Sequence, residues 1–225
     1  MTTTGDLGAI EQHHLFPIPL LRTNLPDAGP LNAELLTEMR ARRAAEPGVE
    51  RSNRHGWHSA PDFFKRSEPA HRRLAEVIRR FVGQVTADQV PQLPPGFATH
   101  LEGWLNVSPT NAMNAPHDHP GAFWSGTYYV AMPQPADAPD QLSGAIEFLD
   151  PRGSLGQAAH IPCALTLSRI WLRPAAGTLL LWPAHLRHWV HPNTAAEERV
   201  SVSFNAFYAP GAGAASAKPS LSTEL

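Results

Sequence analysis

Apolar residues recur at helical spacing in two segments of the first half of the chain. They fall at positions 31, 35, 36 and 39 in the first segment, and at 74, 77, 78, 81, 82 and 85 in the second. Side chains three and four positions apart share one face of an α-helix, so each segment predicts an amphipathic helix. Between them, residues 51–59 are rich in loop formers and too polar for a core, which predicts an exposed loop.

From residue 100 onward the pattern changes to short runs of β-prone residues separated by proline, glycine and aspartate. The 23 prolines also favour short strands, because proline disrupts the interior of a helix. Two helices followed by short strands predict a mainly β fold, a jelly-roll barrel with supporting helices on one outer face. The expected strands cover residues 100–107, 115–119, 123–132, 144–149, 165–172, 178–182, 187–190 and 199–208.

The chain of 225 residues is long enough to bury one sizeable core, and an all-β barrel of this length commonly forms one domain. We expect a single domain over residues 15–210, with a helical part at 15–95 and the barrel at 96–210. Residues 1–14 are polar and lack periodicity, so they are expected to form a flexible leader. Residues 211–225, rich in alanine, glycine and serine, are expected to form a disordered tail.

Charge and cysteine content exclude several classes of function. The net charge of -2, without a cluster of lysine or arginine, argues against a nucleic-acid partner. Cys163 is the only cysteine, so no intramolecular disulfide can form, and no signal-peptide pattern opens the chain. No apolar run reaches the roughly 20 residues that a membrane helix needs. We therefore expect a cytoplasmic protein that acts on a small molecule without nucleic acid or membrane, and the sequence leaves a homodimer open.

The first candidate for chemistry is the segment Asn114-Ala-Pro-His-Asp-His-Pro120. On an extended segment, side chains two positions apart point the same way, so His117 and His119 can converge on one ion while Asp118 faces the opposite side. Neutral imidazole suits Fe(II), copper, nickel or zinc, and a third ligand from a distant strand would leave coordination positions open. The alternative is a purely structural role, in which the two histidines form hydrogen bonds on the barrel rim and bind no metal.

The third ligand is expected from residues 183–192, which contain three histidines. His188 opens a short predicted strand and would face the barrel interior together with Val190. His185 lies in a predicted turn, and His191 precedes a proline. The pattern therefore favours His188.

A third pattern lies eleven positions after His188, where residues 199–205 alternate between polar and apolar. Arg199, Ser201 and Ser203 share one face of this strand. A buried arginine needs an anionic partner, for which a carboxylate is the best geometric match. Either Glu197 or Glu198 turns inward, or a cosubstrate supplies the carboxylate; the alternative is that Arg199 lies on the surface.

Together, the histidine pair, the distal histidine and the Arg-x-Ser pattern are what iron oxygenases that use 2-oxoglutarate require. The keto acid would chelate Fe(II), while Arg199 and Ser201 hold its far carboxylate. Asn106 and Tyr128 are further candidates for binding this cosubstrate, although strand alternation does not decide whether Tyr128 or Tyr129 points inward.

The chain also resembles a known family, the 2-oxoglutarate–Fe(II) oxygenases, over residues 15–208. Each motif is weak alone, and the string of them is specific. The motifs are Leu15-Phe-Pro-Ile-Pro-Leu20, Ser52-Asn53 with Gly56-Trp57 and Ser59, Trp104-x-Asn106, His117-x-His119-Pro120, Ser125-Gly-Thr-Tyr-Tyr-Val130, Phe148-Leu-Asp-Pro-Arg152, Leu181-Trp-Pro183, His188-x-Val190-x-Pro192-Asn193 and Arg199-Val-Ser-Val-Ser-Phe-Asn205.

The resemblance implies a double-stranded β-helix, a cupin-like barrel that binds Fe(II) and 2-oxoglutarate. Most such enzymes carry an acid at the second position of the first pair, whereas this chain has His119 there and Asp118 one position early. A local bulge could bring Asp118 to the metal and restore a set of two histidines and one carboxylate.

We therefore predict an Fe(II)- and 2-oxoglutarate-dependent dioxygenase that hydroxylates a small or amino-acid-like molecule and releases succinate and CO2. One alternative is a cupin-like dioxygenase with three histidines that does not use 2-oxoglutarate. The other is a barrel that binds a metal and a ligand without turnover.

Overall fold

The computed structural model describes residues 16–90, 97–133, 141–152, 160, 161, 163 and 165–210. Both predicted helices are present, as α1 (Ala28–Ala45) and α2 (Pro69–Gln89), with a short 3-10 helix at Phe63–Lys65 between them. The leader at 1–14 and the tail at 211–225 lie outside the described residues. No helix in the described part of the chain is long and apolar enough to cross a membrane.

Eleven strands are found in the described ranges, three more than the sequence predicted, and the additional ones all precede residue 60. In chain order they are β1 (Leu21–Asn24), β2 (Asn53–Arg54), β3 (Trp57–His58), β4 (Phe97–Ser108), β5 (Met113–His117), β6 (Trp124–Ala131), β7 (Ile146–Leu149), β8 (Arg169–Leu172), β9 (Thr178–Pro183), β10 (His188–Val190) and β11 (Arg199–Pro210).

The strands form two antiparallel sheets, as a double-stranded β-helix requires. The larger sheet has the order β1-β9-β6-β11-β4-β3, and the smaller has the order β2-β5-β10-β7-β8. The predicted mainly β fold with supporting helices is therefore confirmed. Strand β11 lies inside the larger sheet, paired with β4 over its whole length and with β6 from Val200 to Ala206.

The period-two alternation of β11 divides the larger sheet into an apolar outer face and a polar inner face. Val202 and Phe204 are fully buried on the outer face, where α1 and α2 pack against them through residues such as Leu35 and Leu74. On the inner face, Arg199 and the serines and asparagine that follow at every second position point toward the smaller sheet. The helices thus cover one side of the sheet, and polar side chains occupy the space between the two sheets.

The segment 51–59 is a correction to the sequence analysis, which expected an exposed loop. It contains β2 and β3, and Trp57, His58 and Ser59 are buried. The reason is pairing with β4: Trp57 lies opposite Val107 and His58 opposite Asn106. Polarity was misleading here because the segment contributes to both sides of the sheet: Trp57 packs in the apolar core, and His58 lines the polar space between the sheets.

Candidate metal centre and cosubstrate pocket

His117, His119 and His188 meet between the two sheets, with the candidate ligand atoms of all three within 4.8 Å of one another. Strand pairing sets two of them, because His188 at the start of β10 lies directly opposite His117 at the end of β5. The extended segment predicted at 115–119 ends at His117, so His119 belongs to the following turn. Its backbone N–H donates to the carbonyl of Ala184 at 3.0 Å, which fixes this turn against the residue that follows β9.

The outer ring nitrogens of two of these histidines have a defined partner. Nδ1 of His117 donates to the carbonyl of Ala115 at 2.7 Å, and Nδ1 of His188 donates to the carbonyl of Leu186 at 2.9 Å. A carbonyl oxygen can only accept, so in the neutral rings the proton lies on Nδ1 and Nε2 keeps its lone pair. This is the tautomer that a metal ligand needs.

Burial keeps these imidazoles neutral. Desolvation lowers the pKa of His119 to about 3, with the neighbouring charge of His117 as the second cause. The same two causes, burial first, lower the pKa of His188 to about 3. Burial also lowers the pKa of His117, against the opposing effects of the Ala115 carbonyl and the Asp118 charge. Three neutral imidazoles at pH 7 form a donor set that fits Fe(II) and its neighbours in the transition series.

The other candidate ligands take different positions. Asp118 is exposed at the wall of the pocket, and the cluster of candidate ligand atoms found among the described residues does not include it. His185 is exposed. His191 points away from the cluster, and its Nε2 lies 3.0 Å from a carboxylate oxygen of the buried Glu147. The predicted ligand set of three histidines is thus brought together, and its role in metal binding stays a prediction.

Arg199 is 2 % exposed and lies on the inner face of β11. Its Nη1 donates to Oγ of Ser201 at 3.3 Å, and its guanidinium carbon lies 5.1 Å from the centre of the Tyr129 ring. Of the two alternatives for its anionic partner, the inward turn of an acid does not occur, because Glu197 is exposed and Glu198 pairs with Arg43. Within the described ranges no carboxylate forms an ion pair with Arg199.

Two buried donors at this position have no hydrogen-bond partner in the described part of the chain. They are Nε of Arg199 and the hydroxyl of Tyr129, whose ring lies against the guanidinium. Burial raises the pKa of the Tyr129 hydroxyl, so it remains a neutral donor. A buried charge and buried polar groups without partners are costly in a folded protein. A carboxylate-bearing ligand in this position would provide the missing acceptors, so the residues present fit 2-oxoglutarate.

Asn106 and Ser201, both predicted to contact the cosubstrate, line the same cavity as the histidines. Nδ2 of Asn106 donates to Oγ of Ser203 at 3.0 Å, and Ser203 lies 3.1 Å from the hydroxyl of Thr127. These bonds hold the Asn106 side chain in the interior.

Tyr128 is a correction. It faces the helices, where its hydroxyl donates to Oδ1 of Asn32 in α1 at 2.7 Å, and it does not line the cavity. Successive residues of β6 point to opposite faces, so Tyr129 is the tyrosine between the sheets. The sequence left this choice open because both residues lie in a continuous apolar and aromatic run without an alternating pattern.

The cavity has a volume of about 400 Å³ and also contains residues that the sequence analysis did not single out. His58 is buried and stacks on Trp104, with ring centres 5.4 Å apart and planes 14° from parallel. Trp104 in turn contacts the ring of His119 at 5.8 Å. Burial lowers the pKa of His58. The one sequence signal for this position was the Trp57-His58 pair inside an otherwise polar segment.

Comparison with known proteins gives one family. Residues 102–205 match the model of a family described as "Putative 2OG-Fe(II) oxygenase". A search of curated protein sequences finds none that matches the chain.

Similar solved structures extend the comparison to the fold. A prolyl-4-hydroxylase from Pseudomonas putida is 18% identical, with a TM-score of 0.58 over 84% of this chain and 91% of that one. The epimerase SnoN from nogalamycin biosynthesis, solved with Fe3+ and alpha ketoglutarate, is 18% identical, with a TM-score of 0.59 over 84% and 78%. HygX from Streptomyces hygroscopicus, solved with nickel and 2-oxoglutarate, is 16% identical, with a TM-score of 0.54 over 84% and 82%. At these identities the likeness establishes a shared fold.

The family match over residues 102–205 agrees with the resemblance noted in the sequence and with the expected enzyme class, and the three clustered histidines could hold the expected metal.

Proposed function

We propose, from the premise that residues 102–205 are a 2-oxoglutarate–Fe(II) oxygenase domain, that the chain hydroxylates a small, amino-acid-like molecule and releases succinate and CO2. The single observation that carries the proposal is the coexistence in one cavity of three neutral imidazoles and a buried arginine that has no acidic partner among the described residues.

His117, His119 and His188 are the proposed ligands of Fe(II). Their proximity, burial and lowered pKa values support this role, because a metal ligand must be deprotonated at the nitrogen that binds. When bound, the metal supplies the activation of oxygen that amino-acid side chains cannot provide. Three protein ligands would leave coordination positions open for the cosubstrate and oxygen.

Arg199 is the proposed partner of the distal carboxylate of 2-oxoglutarate. Its planar guanidinium offers paired donors, and Ser201 and the Tyr129 hydroxyl are further donors beside it. Burial strengthens each of these interactions, because water does not compete for the carboxylate. Asn106 supports the same side of the pocket through its bond to Ser203.

The size and lining of the cavity support a small substrate. A volume of about 400 Å³ lies toward the lower end of the range for ligand pockets, and the cosubstrate would occupy part of it. The wall carries the stacked rings of His58 and Trp104, together with charges of both signs on Arg51, Glu102 and Asp118. Such a wall can hold a short molecule that carries both an ammonium and a carboxylate group.

The test is succinate formation from 2-oxoglutarate by purified protein with Fe(II), ascorbate and a panel of free amino acids and short peptides. We expect at least one member of the panel to raise succinate release well above the rate without substrate. The His188→Ala variant is the matched control and should remain at background. Equal rates for the two proteins with every candidate substrate would contradict the proposed reaction.

A dioxygenase that uses three histidines without 2-oxoglutarate is the second candidate, and His119 in place of an acid favours it. The two candidates differ in their need for Arg199. If substrate oxidation proceeds at the same rate without 2-oxoglutarate, and replacement of Arg199 leaves that rate unchanged, the second candidate is correct.

A further inference from the structure

We propose that Asn205 is a positioning residue for the metal site: its amide oxygen accepts a hydrogen bond from Nδ1 of His119 and so leaves Nε2 of His119 free to bind the metal. The inference rests on the proposed function, in which His119 is a ligand.

His119 differs from the other two histidines in the partner of its outer nitrogen. Backbone carbonyls fix the tautomers of His117 and His188, whereas Nδ1 of His119 faces the side-chain amide of Asn205. A carbonyl can only accept, but an amide side chain presents either a donor or an acceptor. The tautomer of His119 therefore depends on the orientation of this amide.

In the structure Nδ2 of Asn205 lies 3.1 Å from Nδ1 of His119, and Oδ1 of Asn205 is buried without a partner in the described part of the chain. With Nδ2 as donor, Nδ1 must accept, and the proton of the neutral ring lies on Nε2, where it blocks metal binding. Rotation of the amide by 180° exchanges oxygen and nitrogen at almost the same positions. In the rotated amide, Oδ1 of Asn205 accepts a hydrogen bond from Nδ1–H of His119, and Nε2 of His119 keeps the lone pair that binds a metal.

The position of Asn205 makes this partner dependable. It lies on the inner face of β11, opposite Glu102 of β4 and Ser125 of β6, so its backbone is held from both sides. The residue is 7 % exposed, and little water is available to replace the amide. Metal ligands commonly have such an outer hydrogen bond, and its loss weakens metal binding by about 10- to 100-fold. Here it would serve the histidine that occupies the position where most related enzymes carry an acid.

The experiment compares Asn205→Leu and Asn205→Asp with the wild-type protein. Leucine has no acceptor, whereas aspartate presents only acceptors. Calorimetric titration of the metal-free proteins with Zn(II) is expected to show that Asn205→Leu binds the metal about 10- to 100-fold more weakly than the wild type. Binding by Asn205→Asp should remain within a few-fold of wild type or become tighter. In the Zn(II)-loaded wild-type protein, nitrogen NMR should show the proton of His119 on Nδ1.

Asn32→Leu is the matched control, because Asn32 is also buried, and its amide oxygen accepts from Tyr128 far from the cluster. Its Zn(II) affinity should equal that of the wild type.

Wild-type Zn(II) affinity in Asn205→Leu, or equal losses of affinity in the leucine and aspartate variants, would overturn the inference. If Asn205→Leu does not fold, the Zn(II) affinity of Asn205→Asp and the NMR assignment test the proposed role of Asn205. A proton on Nε2 of His119 in the Zn(II)-loaded protein would then overturn that role. A wild-type protein whose three histidines do not bind metal would instead refute the proposed function.

Discussion

Replacement of Arg199 by methionine should change ligand affinity and protein stability in opposite directions. Arg199 is 2 % exposed, and its guanidinium donates to the Ser201 hydroxyl and lies over the Tyr129 ring. Methionine has a similar length, so it can fill most of the same volume without a charge. The substitution therefore removes the proposed partner of the 2-oxoglutarate carboxylate and also relieves a buried charge in the ligand-free protein.

Loss of one partner of a buried, hydrogen-bonded charge pair costs about 2–5 kcal/mol, so 2-oxoglutarate should bind about 30-fold to several thousand-fold more weakly. In the ligand-free protein, replacement of a buried charge by an apolar side chain of similar volume stabilises by about 1–4 kcal/mol, and loss of the cation–π attraction to Tyr129 costs about 0.5–2 kcal/mol. The net gain is about 0.5–2 kcal/mol, which for a domain of this size raises Tm by roughly 1–8 °C.

Calorimetric titration with 2-oxoglutarate, in the presence of metal, measures the first effect, and thermal unfolding of the ligand-free protein measures the second. Arg199→Lys is the matched control, because it keeps the charge but loses the planar fork of donors. It should bind 2-oxoglutarate with intermediate affinity and gain little stability. If the methionine variant binds 2-oxoglutarate within about threefold of wild type, Arg199 does not hold the cosubstrate and the reasoning fails.

Three further predictions concern the histidines. His188→Ala should abolish Fe(II) binding measured by equilibrium dialysis, whereas His185→Ala and His191→Ala should retain most of it; equal losses in all three would exclude His188 as the specific ligand. Since His119 lies in the cluster and Asp118 outside it, His119→Ala should lose metal affinity while Asp118→Ala keeps it, and the reverse result would assign the ligand to the acid. The metal-free protein should lose stability as pH falls from about 6.5 toward 3, because the depressed pKa values of His119 and His188 make the unfolded chain bind more protons in that window. Each group contributes up to about 1.4 kcal/mol per pH unit in denaturant unfolding, and a His119→Ala, His188→Ala double variant that keeps the full slope would contradict this assignment.

The histidine cluster illustrates how far local sequence reasoning reaches. The spacing of His117 and His119 indicated that both side chains could face one ion, and the structure brings them together. The prediction placed both residues on one extended segment, which is correct for His117 only. The strand ends there, and a turn brings His119 to the same point. His188 was favoured over two neighbouring histidines from its place on a short strand, and its pairing opposite His117 agrees with that choice.

Other features depended on contacts between distant parts of the chain. His58 was assigned to an exposed loop because its neighbours are polar, yet pairing of β3 with β4 buries it in the cavity. Tyr128 and Tyr129 could not be separated, since both lie in one apolar and aromatic run and only the packing of α1 shows which face is the core. Asn205 entered the sequence analysis only as the last residue of a motif, without a role, because the role proposed for it arises from a bond to a residue 86 positions away.

The sequence by itself determined the class of fold, the polar face of β11 and the types of side chain available for chemistry. These follow from local periodicity and composition, which short-range backbone geometry converts directly into strands, helices and faces. Only the tertiary structure decided which polar residues share one cavity, that Arg199 has no acid beside it in the described part of the chain, and which group faces the outer nitrogen of each histidine. Those properties depend on the pairing and packing of segments far apart in sequence, on which local patterns carry no information.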